Sequence, residues 1–202
     1  AVTGGSTLAQ VAETMLYLEE PRNVTVIPGR GGLGENVEIQ ANTIASKIAK
    51  KLGGKYKLLH IPDDITRKSL EMITNEPSVK KTLDLLQQSN ILIHGIGTAE
   101  MMSARRDMDV NEVKKLKDKG AIAEAFGLYF NEKGEIVYST ASVGLSMEDL
   151  KSIDKVIAVA GGVDKARAII SVVSPEYHDI LITDELTARE IISLKGGGNG
   201  KN

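Results

Sequence analysis

"VTVIPGRGGLGENVEIQANTIASKIAKKLGG" (24–54) reads as a strand, a glycine turn and a helix in succession. "VTVIP" (24–28) is a short apolar run of the kind that suits a strand covered on both faces. The turn "PGRGGLGEN" (28–36) follows it. Beyond the turn, Val37, Ala41, Ile44, Ala45, Ile48, Ala49 and Leu52 recur at three- and four-residue steps. That spacing predicts one helix over 36–52 with a single apolar face. Gly53-Gly54 then stop it.

The pattern repeats along the chain. "YKLLHI" (56–61), "NILIHGIG" (90–97), "KVIAVAGG" (155–162) and "DILITDE" (179–185) are further buried-strand candidates. Helical patterns cover 7–18, 78–88, 98–106, 109–118, 164–173 and 184–194. "DVNE" (109–112) has the form of a capping box, with Asp109 as N-cap and Glu112 three residues on, and "SMED" (146–149) is a second start of this kind. Strand–helix alternation predicts an α/β, doubly wound fold with a mostly parallel sheet. "FGLYFNEKGEIVYST" (126–140) departs from it, with two strand-like arms around "NEKG", and predicts a β-hairpin extension.

The bulk numbers narrow the function. The chain has 202 residues, 42% hydrophobic and 26% charged, which fits one globular domain over 1–195. A net charge of −2 supplies no basic footprint for nucleic acid. There is no cysteine, so disulfides, thiolate metal sites and cysteine nucleophiles are excluded. Aromatic residues make up 3% and tryptophan is absent, which argues against base-stacking platforms. Neither a membrane-spanning run nor a signal-peptide pattern is visible, and a cytoplasmic location is expected. "AVTGG" (1–5) reads as the end of a strand whose start is missing, so the chain is expected to be a piece of a longer protein. The tail 196–202, "GGGNGKN", is expected to be loose.

In an open parallel sheet, ligands bind beyond the carboxyl ends of the strands. The groups that follow the strands here are Gly4, Gly5, Ser6 and Thr7; then Gly29, Arg30, Gly31 and Gly32. Gly95, Gly97 and Thr98 come next, with Arg105 and Arg106 along the following helix. The last sets are Gly161, Gly162, Asp164 and Lys165, then Asp184 and Glu185. Glycines let backbone approach an anion, helix N-termini aim N–H groups at it, and hydroxyls, arginine and lysine complete a phosphate site. Each piece alone also reads as a tight turn or a solvated face; recurrence favours phosphate.

A nucleotide fits less well. No Walker A pattern occurs, and "GRGGLG" (29–34) matches G-x-G-x-x-G without an acidic residue in "SKIAKKLGG" (46–54) to hold a ribose. His60, His94 and His178 each lie near a strand, outside any metal-ligand pattern, and read as satisfied structural histidines. "PDD" (62–64) reads as a loop or cap. Glu124, inside the apolar "AIAEAFG", must be paired or face a ligand. Sugar hydroxyls or a lysine would serve.

"GGST" (4–7), "PGRGGLGENVEIQANTIA" (28–45), "HGIGTAEMMSARR" (94–106), "AIAEAFGLYFNEKGEIV" (121–137), "IAVAGGVDKARAI" (157–169) and "ILITDELTA" (180–188) stand in this order. Together they resemble the SorC-type family of sugar-binding transcriptional regulators over essentially all of residues 1–195. The resemblance implies a Rossmann-like effector domain of the glucosamine-phosphate isomerase/deaminase type. It also implies a repressor of central glycolytic genes whose inducer is fructose-1,6-bisphosphate, with other phosphorylated sugars binding less productively. Homodimers that pair into tetramers on DNA are implied, as is an N-terminal helix-turn-helix domain, outside this chain, that contacts the operator. The family's effector contacts fall on Gly5, Ser6, Thr7, Arg30, Gln40, Arg105, Glu124 and Lys165. The family implies no cofactor and no metal.

The competing reading is an isomerase, deaminase or lactonase of the same fold. Deaminases and lactonases of that type place Asp-Gly-His after a glycine pair, supplying an acid/base histidine. "HGIGTAEMM" (94–102) lacks Asp and His after Gly97, which leaves proton transfer without its base and favours a sensor over an enzyme.

Overall fold

The stretch 24–54 holds a strand and two helical pieces in the computed structural model, which describes residues 1–31, 36–61, 67–140, 143–174 and 176–196, so that the middle of the turn expected over 28–36 lies outside the described residues. Along the chain the elements begin with α1 (Ser6–Thr14), β1 (Thr25–Val26), a 3₁₀ turn (Val37–Ile39), α2 (Ala41–Leu52) and β2 (Lys55–Tyr56). Then come α3 (Arg67–Thr74), α4 (Pro77–Gln87), β3 (Ile91–Gly95), β4 (Gly97–Thr98), α5 (Ala99–Arg105) and α6 (Val110–Asp118). β5 (Ala121–Ala125), β6 (Leu128–Asn131) and β7 (Ile136–Ser139) precede α7 (Met147–Leu150) and β8 (Lys155–Val159). A second 3₁₀ turn (Val163–Lys165), α8 (Ala166–Val172), β9 (Ile180–Ile182) and α9 (Glu185–Gly196) end the described chain. Two compact units result: Ala1–Gly95 with Thr140–Val156, and Ile96–Ser139 with Ile157–Asn202.

The first unit is a parallel α/β layer. Lys55 N donates to Val24 O (2.8 Å) and Lys57 N to Val26 O (3.0 Å), which pairs β2 with β1. Val2 joins the other edge of β1 through Val2 N to Ile27 O (2.9 Å) and Gly29 N to Val2 O (2.7 Å). Its far side takes Thr3 N to Ile93 O (3.0 Å) on β3. The order β2, β1, residues 1–3, β3 puts the first strand of the chain in the middle, as Rossmann-like sheets do. α1 and α2 pack together and bury Leu8, Ala12, Ile44, Ala45, Ile48 and Ala49. A second cluster gathers Leu59, Ile61 and Val143 under Leu70 and Ile73 of α3 and Val79 and Leu83 of α4.

Three boundaries differ from the sequence expectation. The helix expected over 36–52 is broken at Gln40, which is extended (φ −68°, ψ 142°). The reason is tertiary: Ile39 O accepts from Gly5 N (2.8 Å) instead of continuing the helical ladder. The strand expected over 56–61 leaves the sheet after Lys57, because both backbone groups of Leu59 turn to the Asn42 side chain. The helix expected over 7–18 stops at Thr14, where Met15 turns extended (ψ 138°). α3 was not anticipated; Leu70 and Ile73, one turn apart, carry its apolar face. "PDD" (62–64) and residues 197–202 lie outside the described residues.

The second unit carries more antiparallel strand than a single hairpin. β4, β5, β6 and β7 form a four-stranded antiparallel sheet in chain order. The expected hairpin is its β6–β7 half, closed by Asn131, whose Oδ1 accepts from Lys133 N and Glu135 N (both 3.0 Å). α8 covers β5 and β6 with Ala166, Ala168, Ile169 and Val172 buried. β8 and β9 pair in parallel, Ile157 with Ile180. Asp109 caps α6 as expected, accepting from Asn111 N and Glu112 N, but the Glu112 carboxylate accepts from the Tyr138 hydroxyl (2.7 Å). The capping box at Ser146–Asp149 is complete. No helix among the described residues is long and apolar enough to cross a membrane.

Candidate functional site

In the first unit the chain turns from strand to helix through Thr3–Thr7. Gly5 takes φ +120°, which favours glycine, and a Cβ on Gly4 would stand 2.8 Å from Ile39 O. The turn therefore lies flat against the break before α2. This brings Gly5, Ser6 and Thr7 beside Gln40, the N-cap residue of α2. α1 itself starts with no side-chain cap and no acidic residue in its first turn. Its opening N–H groups are those that bind anions at helix starts.

Arg30 follows the neighbouring strand. It is 8% exposed, and Nη2 donates to Thr140 Oγ1 (3.3 Å). Its backbone is clamped against Gly144: Gly31 N donates to Val143 O (2.7 Å) and Leu145 N to Gly29 O (2.9 Å). Only glycine fits at 144, since a Cβ there would lie 2.5 Å from both Gly29 O and Arg30 Cβ. Arg30 and the Gly5–Thr7 turn thus leave adjacent parallel strands at the same carboxyl edge.

In the second unit Glu124 is 4% exposed on β5. Its Oε1 accepts from Arg106 Nη2 (3.1 Å) and Gly127 N (2.6 Å). The partner is thus an arginine, where the sequence suggested a lysine or sugar hydroxyls. Arg105, the arginine singled out by resemblance, ends α5 and is exposed, whereas Arg106 turns inward. Two adjacent arginines on a helix end carry no sequence signal to separate these roles. The structure places Glu124 with Arg106 and does not bring Arg105 into that pair.

Lys165 closes the 3₁₀ turn after β8, its N–H donating to Gly162 O (2.9 Å). The Gly162 N–H is engaged by Asp184 Oδ2 (3.0 Å) and Thr187 Oγ1 (2.8 Å). Asp184 also accepts from Thr187 Oγ1 (2.6 Å) and Thr187 N (2.9 Å). The Thr187 hydroxyl, then the Thr187 and Gly162 amides, hold the Asp184 carboxyl down at about 2. Asp184 is thus the anion of this turn and the residue immediately before α9.

His94 is buried with Nδ1 3.1 Å from Gly95 O, and His178 Nδ1 accepts from Ser174 N (3.3 Å). Burial lowers the His178 pKa below its ordinary value. Both are structural histidines, as expected; His60 is exposed instead. Among the described residues no group of three His, Asp or Glu side chains is placed to hold a metal ion. Asn42, Thr140 and Gly144, which position Arg30 and its surroundings, were not visible in the sequence because each acts through a partner far along the chain.

Residues 1–193 match the family model described as "Putative sugar-binding domain". A solved "putative SorC family transcriptional regulator" from Enterococcus faecalis is 43% identical with a TM-score of 0.88, over 95% of this chain and 78% of that one. This chain belongs to the SorC sugar-binding domain family. Further relatives of this sugar-binding domain are two proteins named "Central glycolytic genes regulator". The one from Priestia megaterium is 46% identical and the one from Bacillus subtilis 42% identical, each over 192 residues. The domain spans 56% of the length of each, and 95% of its own residues are covered.

Proposed function

We propose that residues 1–195 are the effector-binding domain of a repressor of central glycolytic genes, and that the effector is fructose-1,6-bisphosphate. Other phosphorylated sugars bind the same groups less productively. The observation that carries this reading is the open start of α1, where Gly5, Ser6 and Thr7 stand beside Gln40. An anion there meets the first-turn N–H groups of α1 that follow Gly5 and two hydroxyls. The contacts are Gly5, Ser6, Thr7, Arg30 and Gln40 in the first unit, and Arg105, Glu124 and Lys165 in the second. The names of the two glycolytic relatives support the choice of regulon.

Sensing is preferred to catalysis because Asp-Gly-His is missing after Gly97. The protein acts in the cytoplasm as a homodimer, and the longer protein pairs into tetramers on operator DNA through a separate N-terminal helix-turn-helix domain. The sugar binds one assembly state better than another and shifts that balance.

The test is to heat the domain with fructose-1,6-bisphosphate while following the sugar. At a hundredfold excess over Kd, binding adds about 2.7 kcal/mol, which raises Tm by roughly 5–10 °C for a chain of this size. Arg30→Ala should remove most of that rise. Turnover of the sugar, or an unchanged response in the variant, overturns the proposal.

A further inference from the structure

Thr3 is the residue immediately before the Gly4–Thr7 turn, and it is 7% exposed. Its main chain belongs to the sheet, with Thr3 N donating to Ile93 O (3.0 Å). Its hydroxyl serves the turn. Gly95 N, at the end of β3, donates to Thr3 Oγ1 (3.2 Å), and Thr3 Oγ1 lies 3.4 Å from Gly4 O. An amide N–H donates and never accepts, so the hydroxyl takes the Gly95 proton and turns its own toward Gly4 O.

Gly4 O and Gly5 N belong to one peptide group, and Gly5 N donates to Ile39 O (2.8 Å). That peptide is therefore held at both ends, its carbonyl by the Thr3 hydroxyl and its N–H by Ile39. The flanking residues make this hold necessary. A peptide between two glycines can turn over at little steric cost to itself, since neither neighbour carries a Cβ. Turning it over would break the Ile39 bond and re-aim the chain that enters α1, whose first-turn N–H groups follow directly.

We infer that Thr3 is a positioning residue: without touching the ligand, its hydroxyl holds the Gly4–Gly5 peptide in the orientation that presents the start of α1 to a phosphate. The inference rests on the proposed function, because it takes that helix start as the anion site. The two branches of the side chain can be separated. The Thr3 Cγ2 methyl lies beside Gly29, where a Cβ on the glycine would meet it at 3.4 Å. Valine keeps the methyl and loses the hydroxyl, whereas serine does the reverse.

The test compares the parent with Thr3→Val, Thr3→Ser and Arg30→Ala. It measures the Kd of fructose-1,6-bisphosphate by calorimetry, and Tm and amide hydrogen exchange without ligand. T3V should bind about tenfold more weakly, as when the turn is ready in about a tenth of the molecules. Its Gly5 amide should exchange about tenfold faster or more, relative to the Gly29 amide. Gly29 N, held by Val2 O (2.7 Å) in the same sheet, reports general opening. T3S should melt below the parent for want of a buried methyl, yet bind within twofold of it and keep its Gly5-to-Gly29 ratio. A merely structural role would move both amides together and weaken T3S and T3V alike. The inference is overturned if T3V binds within twofold of the parent or keeps the parent ratio, or if T3S binds as weakly as T3V. Should T3V not fold, Thr3→Ala, equally without the hydroxyl, replaces it under the same criteria. If the parent itself fails to bind, or R30A binds normally, it is the proposed function that falls, and the exchange ratio still decides whether Thr3 holds the turn.

Discussion

Asn42→Ala will destabilise the first unit out of proportion to its size. Asn42 sits in the first turn of α2 and is 8% exposed. Its Oδ1 accepts from Leu59 N (2.9 Å) and its Nδ2 donates to Leu59 O (3.1 Å), so one side chain satisfies both backbone groups of a residue 2% exposed. Alanine leaves both without that partner. A buried backbone group left unsatisfied costs about 1–3 kcal/mol, and alanine's better helix propensity returns about 0.5 kcal/mol. With two groups affected, the net loss is about 1.5–5.5 kcal/mol, read as a lower urea midpoint at unchanged slope. Asn42→Asp sharpens the test. It keeps the acceptor for Leu59 N but faces Leu59 O with a second acceptor, so at neutral pH it should lose at least as much as alanine. The damage also reaches the candidate site, because Leu59–Ile61 backs the Arg30 loop: a Cβ on Gly31 would lie 2.9 Å from Ile61 O. A loss below about 1 kcal/mol for N42A would show that the two bonds do not hold this segment.

Gly144→Ala inserts a methyl where 2.5 Å separates the new atom from Gly29 O, so it should displace Arg30 and abolish the ligand-induced Tm rise; a parent-like rise refutes the clamp. His178 is buried neutral with a lowered pKa and an acceptor role at Nδ1, so the unfolded chain binds more protons near pH 6. Its contribution is complete above about pH 6.5 and is lost as pH falls, so Tm of the parent should drop between pH 7 and 5 more than that of His178→Asn. Equal slopes would exclude His178 as the group responsible. Ser6→Asp places a carboxylate on the open start of α1; it should raise apo stability by about 0.5 kcal/mol and remove sugar-phosphate binding. Binding at the parent Kd would show that the phosphate lies elsewhere.

Strands and most helices were legible because their signals are local. Continuous apolar runs such as 156–160 and the periodic face of 41–52 follow from burial alone. What was not legible depends on partners distant in the chain. Nothing in 36–52 announces a break at Gln40, because the break is made by Gly5 taking the Ile39 carbonyl. The peel of residues 58–61 away from the sheet likewise belongs to Asn42. Of the four-stranded antiparallel sheet only its most local hairpin is legible in the sequence, since β4 and β5 meet across α5 and α6 rather than through a tight turn.

The two glycine pairs that follow strands make the sharpest case. Gly4-Gly5 and Gly161-Gly162 are alike in sequence, each at a strand end and each followed by a cation or hydroxyl, and the sequence pattern alone gives both a place in a phosphate cradle. Their structures give them different chemistry. Gly5 gives its own N–H to Ile39 O but opens a nine-residue helix that has no side-chain cap, so the N–H groups of the following first turn are a donor surface for an incoming anion. Gly162 precedes a three-residue 3₁₀ turn, and its N–H is engaged by Asp184 and Thr187. A carboxylate held at a pKa of about 2 already serves as the anion there. Under the proposed function, main-chain recognition of phosphate falls to the first turn and Lys165 contributes through its side chain. The deciding residues, Asp184 and Thr187, stand more than twenty positions from the glycines they occupy, so no motif read around Gly162 could have contained them.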